Sequence, residues 1–234
     1  MQLVAPDAKS ALDNVAMSDA RRPPASSDAA ALATYPQIAK AFSSPPTMLY
    51  ASTARSAPDL TLLLAAPPVI VLGPRLASLR ARSRSEIEMD VDTELRFRLG
   101  RIVELSRPHR LLATGIDAED FEKFVAGMLR AFGKQDGSET TPAVAREAER
   151  LHNALPVVLR RRLTERLATL TPALLDAKAY LTACERAADR AGLVACGHPG
   201  YAIHLAGGPD KAHHLVELAA SKRFLASQRK LRRR

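Results

Sequence analysis

A chain of 234 residues, 47% of them apolar, can bury one large core or two small ones. Aromatics make up 4% and Trp is absent, so the core must be built from Leu, Ala and Val, which favours helix-rich packing. The net charge is +9, but residues 222–234 hold seven Lys and Arg (Lys222, Arg223, Arg229, Lys230, Arg232, Arg233 and Arg234) and no acid, so the remainder is close to balanced.

That basic tail could take an anionic ligand or an acidic partner, or simply set cations at the negative end of a helix. No aromatic stacking platform accompanies it, so nucleic acid is not the expected partner. Cys184 and Cys196, on one helix, would lie about 18 Å apart, too far for a disulfide. The start has no basic n-region or apolar h-region, and the apolar run from Leu60 to Gly73 is broken by Pro67-Pro68. A cytoplasmic protein without a membrane span is expected.

Residues 1–26, rich in Ala, Ser, Asp and Pro, read as a weakly ordered lead-in. A helix is expected over 27–42, with Ser27 as cap and Leu32, Tyr35, Ile38 and Phe42 on one face. Thr47 to Ser52, Leu60 to Ala65 and Val69 to Leu72 read as three short strands of a small antiparallel sheet. Between Arg80 and Arg98 a charge recurs at every second position, which predicts a strand or an extended connector.

From about Asp92 the helical period takes over. Leu95, Leu99, Ile102, Val103 and Leu105 trace a stripe that stops at Pro108. Further helices are expected from Ala118 to Phe132 with Asp117 as cap, from Pro142, from Val157, and from Pro172 to about Leu193. Two shorter ones should follow, over Tyr201 to Leu205 and Pro209 to Arg229. Gly207-Gly208 reads as a turn.

Two segments carry a specific pattern. Val69-Ile70-Val71-Leu72-Gly73 precedes the helix Glu94-Leu95-Arg96-Phe97-Arg98-Leu99-Gly100-Arg101-Ile102-Val103-Glu104-Leu105. Later comes Glu185-Arg186-Ala187-Ala188-Asp189-Arg190-Ala191-Gly192-Leu193. Over roughly residues 47–206 this resembles the zinc metallopeptidases of the HtpX and CAAX prenyl protease type. There a strand precedes a helix bearing His-Glu-x-x-His, and a later helix supplies the third ligand through Glu-x-x-Ala-Asp.

Two His at i and i+4 face one zinc, and the Glu after the first acts as general base. The resemblance places Arg101 at the first His, Ile102 at the Glu and Leu105 at the second His. It leaves Glu185 at the third-ligand position and Asp189 beside it. With Glu104 these residues would form a relict site holding no metal and no cofactor. A guanidinium at the first-ligand position could replace the metal's charge, so an Arg101–Glu185 salt bridge is expected.

Other chemistry is thin. His213 and Glu217 share a helical face without a third ligand in view. Cys184 lies on an apolar face with Tyr180 and Leu181 and reads as a buried thiol. The fold class expected is α+β and zincin-like: a small antiparallel sheet followed by a mostly helical region. One metallopeptidase-like domain should span 27–221, with 222–234 as a basic tail. The implied role is non-catalytic, an interaction or scaffold module in the bacterial cytoplasm, its partner unidentified or another domain of a larger chain. The alternatives are an active metallopeptidase with an atypical site, and binding of nucleic acid or an acidic partner through the tail.

Overall fold

A computed structural model describes residues 19–23, 27, 29–79, 89–133, 140–170 and 175–232. Most of the lead-in, residues 80–88, Pro172, Arg233 and Arg234 lie outside the described residues.

The chain is α+β and predominantly helical. Helix α1 runs Ala30–Ala41 and is followed by β1 (Met48–Ala51), β2 (Leu60–Leu63), β3 (Val69–Leu72) and the short α2 (Pro74–Ala77). Helices α3 (Met89–Leu105), α4 (Pro108–Gly115), α5 (Ala118–Phe132), α6 (Pro142–Ala154) and α7 (Val157–Ala168) come next. The long α8 (Ala177–Cys196) precedes α9 (Pro199–Leu205), α10 (His213–Ala219) and α11 (Lys222–Arg232).

The sheet is mixed, not antiparallel throughout. Its order is β1-β3-β2, with β3 antiparallel to β2 but parallel to β1. The reason is visible in β3, whose four residues Val-Ile-Val-Leu are all buried. A continuous apolar run belongs at the centre of a sheet. The chain therefore inserts β3 between the two earlier strands, and only the β2–β3 link can be a hairpin.

The alternating charges after residue 88 are helical, not extended. Charges at every second position are also charges at i and i+4, and a helix pairs them: Arg96 Nε lies 2.7 Å from Asp92 Oδ2, and Arg98 Nε lies 2.7 Å from Glu94 Oε1. Pro108 does not only end a stripe. It occupies the first turn of α4, where its missing N–H costs nothing.

Helix α8 starts at Ala177, capped by Asp176, whose carboxylate accepts from Ala179 N–H at 3.0 Å. The stretch expected as one helix from Pro209 is two, separated at Ala220 and Ser221.

Three apolar clusters surround the helix pair α3–α8. One joins α1, the sheet and α3 through Ile38, Ile70, Leu72, Leu95 and Leu99. A second gathers α4 to α8 around Phe121, Phe124, Leu151 and Cys184. The third holds Phe97 and Leu193 against α9, α10 and α11. In that cluster Phe224 is only 5% exposed, and Gln228 Nε2 donates to Val194 O at 2.7 Å. The tail expected from residue 222 thus begins inside the fold.

Candidate functional site

Helices α3 and α8 run antiparallel and touch through glycines. A Cβ on Gly100 would lie 2.7 Å from Ala195 Cβ and 2.8 Å from Ala191 O. One on Gly192 would lie 2.7 Å from the Phe97 ring and 2.9 Å from Phe97 O. Each glycine is needed because the opposite backbone occupies the space a side chain would take.

This close approach brings the two motif segments face to face. Arg101 reaches α8, as expected, but its guanidinium contacts Asp189 and not Glu185. The cause is directional. Helical side chains lean toward their own N-terminus, and in an antiparallel pair that carries Arg101 toward the later residues of α8. Glu185, one turn earlier, stays exposed and acts on Arg101 through space. Burial depresses the Arg101 pKa, opposed by the Glu185 charge. The guanidinium remains cationic, since arginine does not deprotonate in proteins. Its Cζ also lies 5.8 Å from the Phe97 ring centre.

Asp189 has a second neighbour that sequence reasoning missed. His214 of α10 places Nε2 3.4 Å from Asp189 Oδ2, and both side chains are nearly buried. Burial first, then Arg190, Arg186 and Arg101, push the imidazole pKa down. His213 instead faces outward, with Nε2 3.6 Å from Glu217 Oε1. Two adjacent histidines give no sequence signal of which one a helix turns inward.

Glu104 does not join this group. It pairs with Arg110 and, at 2.7 Å, with Arg107, away from Asp189. Cys184 is buried and its thiol is pushed up, chiefly by desolvation. Lys222, Arg223 and Arg229 of the basic tail are exposed on α11, which also carries Lys230 and Arg232.

An open cleft of about 650 Å³ lies over Arg101. Ile102 and Leu105 of α3 floor it, Glu185 and Asp189 line the α8 side, and Lys211 lines the far side. Its remaining wall is the start of β2, Pro58 to Leu60. Strand β2 is unpaired on its outer edge among the described residues. Gly73 N donates to Asp59 O at 2.9 Å, so the alternation turns the backbone groups of Leu60 away from β3. The same wall is braced by Arg75, whose Nη2 lies 2.6 Å from Asp59 Oδ2 and 2.7 Å from Glu94 Oε1.

These residues do not fit a zinc ion. Arg101, Ile102 and Leu105 offer no donor pair, and Asp189 is engaged by a guanidinium. Among the described residues no three His, Cys, Asp or Glu side chains group closely enough to hold a metal. No helix among them is long and apolar enough to cross a membrane. The chain matches no family model, no curated protein and no solved structure.

Proposed function

We propose that this chain is a non-catalytic, zincin-like domain, related to the metallopeptidases it resembles, that serves as a protein-interaction module. The observation that carries the reading is the Arg101–Asp189 ion pair lining an open cleft. By the resemblance, a cation stands where the metallopeptidases would hold a metal, and Ile102, at the position of the general base, cannot act as one.

What remains is a surface suited to an extended polypeptide. Among the described residues, Leu60 presents an unpaired backbone donor and acceptor at the rim. Ile102 and Leu105 offer an apolar floor, and charged side chains line the walls. Strand addition beside a side-chain pocket is a recurrent mode of peptide recognition.

The test has two arms. Metal analysis after dialysis and a panel of quenched fluorogenic peptides should give neither stoichiometric zinc nor hydrolysis; either result overturns the non-catalytic reading. Binding of selected linear peptides should weaken in a Leu60→Pro variant, which removes the outward N–H at a strand start where proline is tolerated. Peptides that bind both proteins equally are not using this edge.

A further inference from the structure

Six ionisable side chains line the cleft: Asp59, Arg98, Arg101, Glu185, Asp189 and Lys211. Four are committed to one another. Arg98 Nη1 lies 3.5 Å from Asp59 Oδ2, and Arg101 contacts Asp189. Glu185 and Lys211 make no ion pair or hydrogen bond with the described residues, and both are exposed.

The backbone sets where each side chain starts. Glu185 stands in the middle of a 20-residue helix, between the buried Cys184 and the next turn's Ala188 and Asp189. Lys211 follows the turn at Gly207 and Gly208, whose φ values are +96° and +92°. A Cβ on Gly207 would lie 3.0 Å from Lys211 Cδ, so the glycine leaves room for the lysine stem.

We infer that the cleft selects an extended peptide carrying one basic and one acidic side chain, the base on Glu185 and the acid on Lys211. This rests on the reading of the chain as a protein-interaction module. A purely acidic segment would set its charges against Glu185, Asp189 and Asp59. A purely basic one would meet Arg98, Arg101 and Lys211. A nucleic-acid strand brings phosphates alone and meets the same three carboxylates. Only a bipolar segment satisfies both uncommitted groups.

The experiment is selection of a phage-displayed library of random linear peptides on the full chain, followed by fluorescence anisotropy with synthetic copies of the enriched sequences. The enriched peptides should share one basic and one acidic residue. Glu185→Gln should weaken them about tenfold, the worth of one charge-assisted hydrogen bond. Replacing the peptide's basic residue by Met should cost the same, and the two changes together should cost no more than either alone. Lys211→Met should behave likewise toward the acidic residue. Both positions are exposed, so the variants keep the fold. Enriched peptides without charge preference, or with affinities unmoved by both variants, overturn the charge assignment while the interaction reading stands. Enrichment of no peptide overturns both.

Discussion

His214 Nε2 lies 3.4 Å from Asp189 Oδ2, on a carboxylate that already holds Arg101. The shared anion does not secure a second cation. Burial and the fields of Arg190, Arg186 and Arg101 depress the imidazole pKa, against a smaller opposing effect of Glu217. The folded chain therefore binds this proton less readily than the unfolded chain does. Stability from this group is whole above the unfolded pKa of about 6.5 and is lost as pH falls from there through the lower folded value. Urea denaturation between about pH 8 and pH 5 should show the decline, and His214→Gln should flatten it. An equal slope in the variant would assign the dependence to other groups.

Removing the cation leaves a nearly buried carboxylate without its partner. Arg101→Met should destabilise the fold by about 2–3 kcal/mol, below the full cost of breaking a buried pair because Arg101 is partly exposed. Adding Asp189→Leu removes the stranded charge and should recover much of that loss. Chemical denaturation of the two singles and the double forms the cycle. Purely additive losses would mean the two side chains do not interact.

The glycine contact makes an opposite prediction from helix propensity. Gly192→Ala at an open helix site should stabilise by up to about 1 kcal/mol. Here the new methyl meets the Phe97 ring and carbonyl, both closer than 3.0 Å. The helices must separate, so the substitution should cost about 1–3 kcal/mol. A gain in midpoint on denaturation would show that α3 and α8 slide apart freely.

The basic C-terminal segment is a structural element at its start. Phe224 is buried against α8 and α9 to α10, and Gln228 donates to the end of α8. Phe224→Ala should cost about 3–5 kcal/mol. Lys222→Gln with Arg229→Gln, at exposed sites, should cost less than about 0.5 kcal/mol. Matching thermal shifts in the two variants would place α11 outside the folded unit.

Where the sequence was legible, one local rule sufficed. Asp117 capping α5 and Pro142 opening α6 both set helix starts from a few residues. The facing of Arg101 toward the Glu-x-x-Ala-Asp helix was expected from the resemblance alone, and the glycine contact that lets α3 and α8 approach was not foreseen. The partner of Arg101 was not, since choosing Asp189 over Glu185 depends on the lean of a side chain between antiparallel helices. The parallel pairing of β1 with β3 was hidden for a similar reason. Strand patterns give faces, while strand order follows from which run is apolar enough to be central. His214 was illegible because its burial is set by packing against α8 from more than twenty residues away.

The sharpest test of ancestry is to rebuild what the resemblance says is missing. Arg101→His with Ile102→Glu and Leu105→His would put two imidazoles at i and i+4 on α3, the helix that faces α8 and Glu185. If α3 and α8 keep a metallopeptidase disposition, this triple variant should take up one zinc where the parent takes up none. Saturating zinc should then raise its stability by about 3–4 kcal/mol, and Glu185→Gln in the same background should shrink that gain. Ile102 is nearly buried, so far-ultraviolet circular dichroism must first show the variant folded. A folded triple variant that unfolds at the same denaturant concentration with and without zinc would remove the metallopeptidase-like reading. It would leave the Arg101–Asp189 pair as an ordinary helix–helix ion pair.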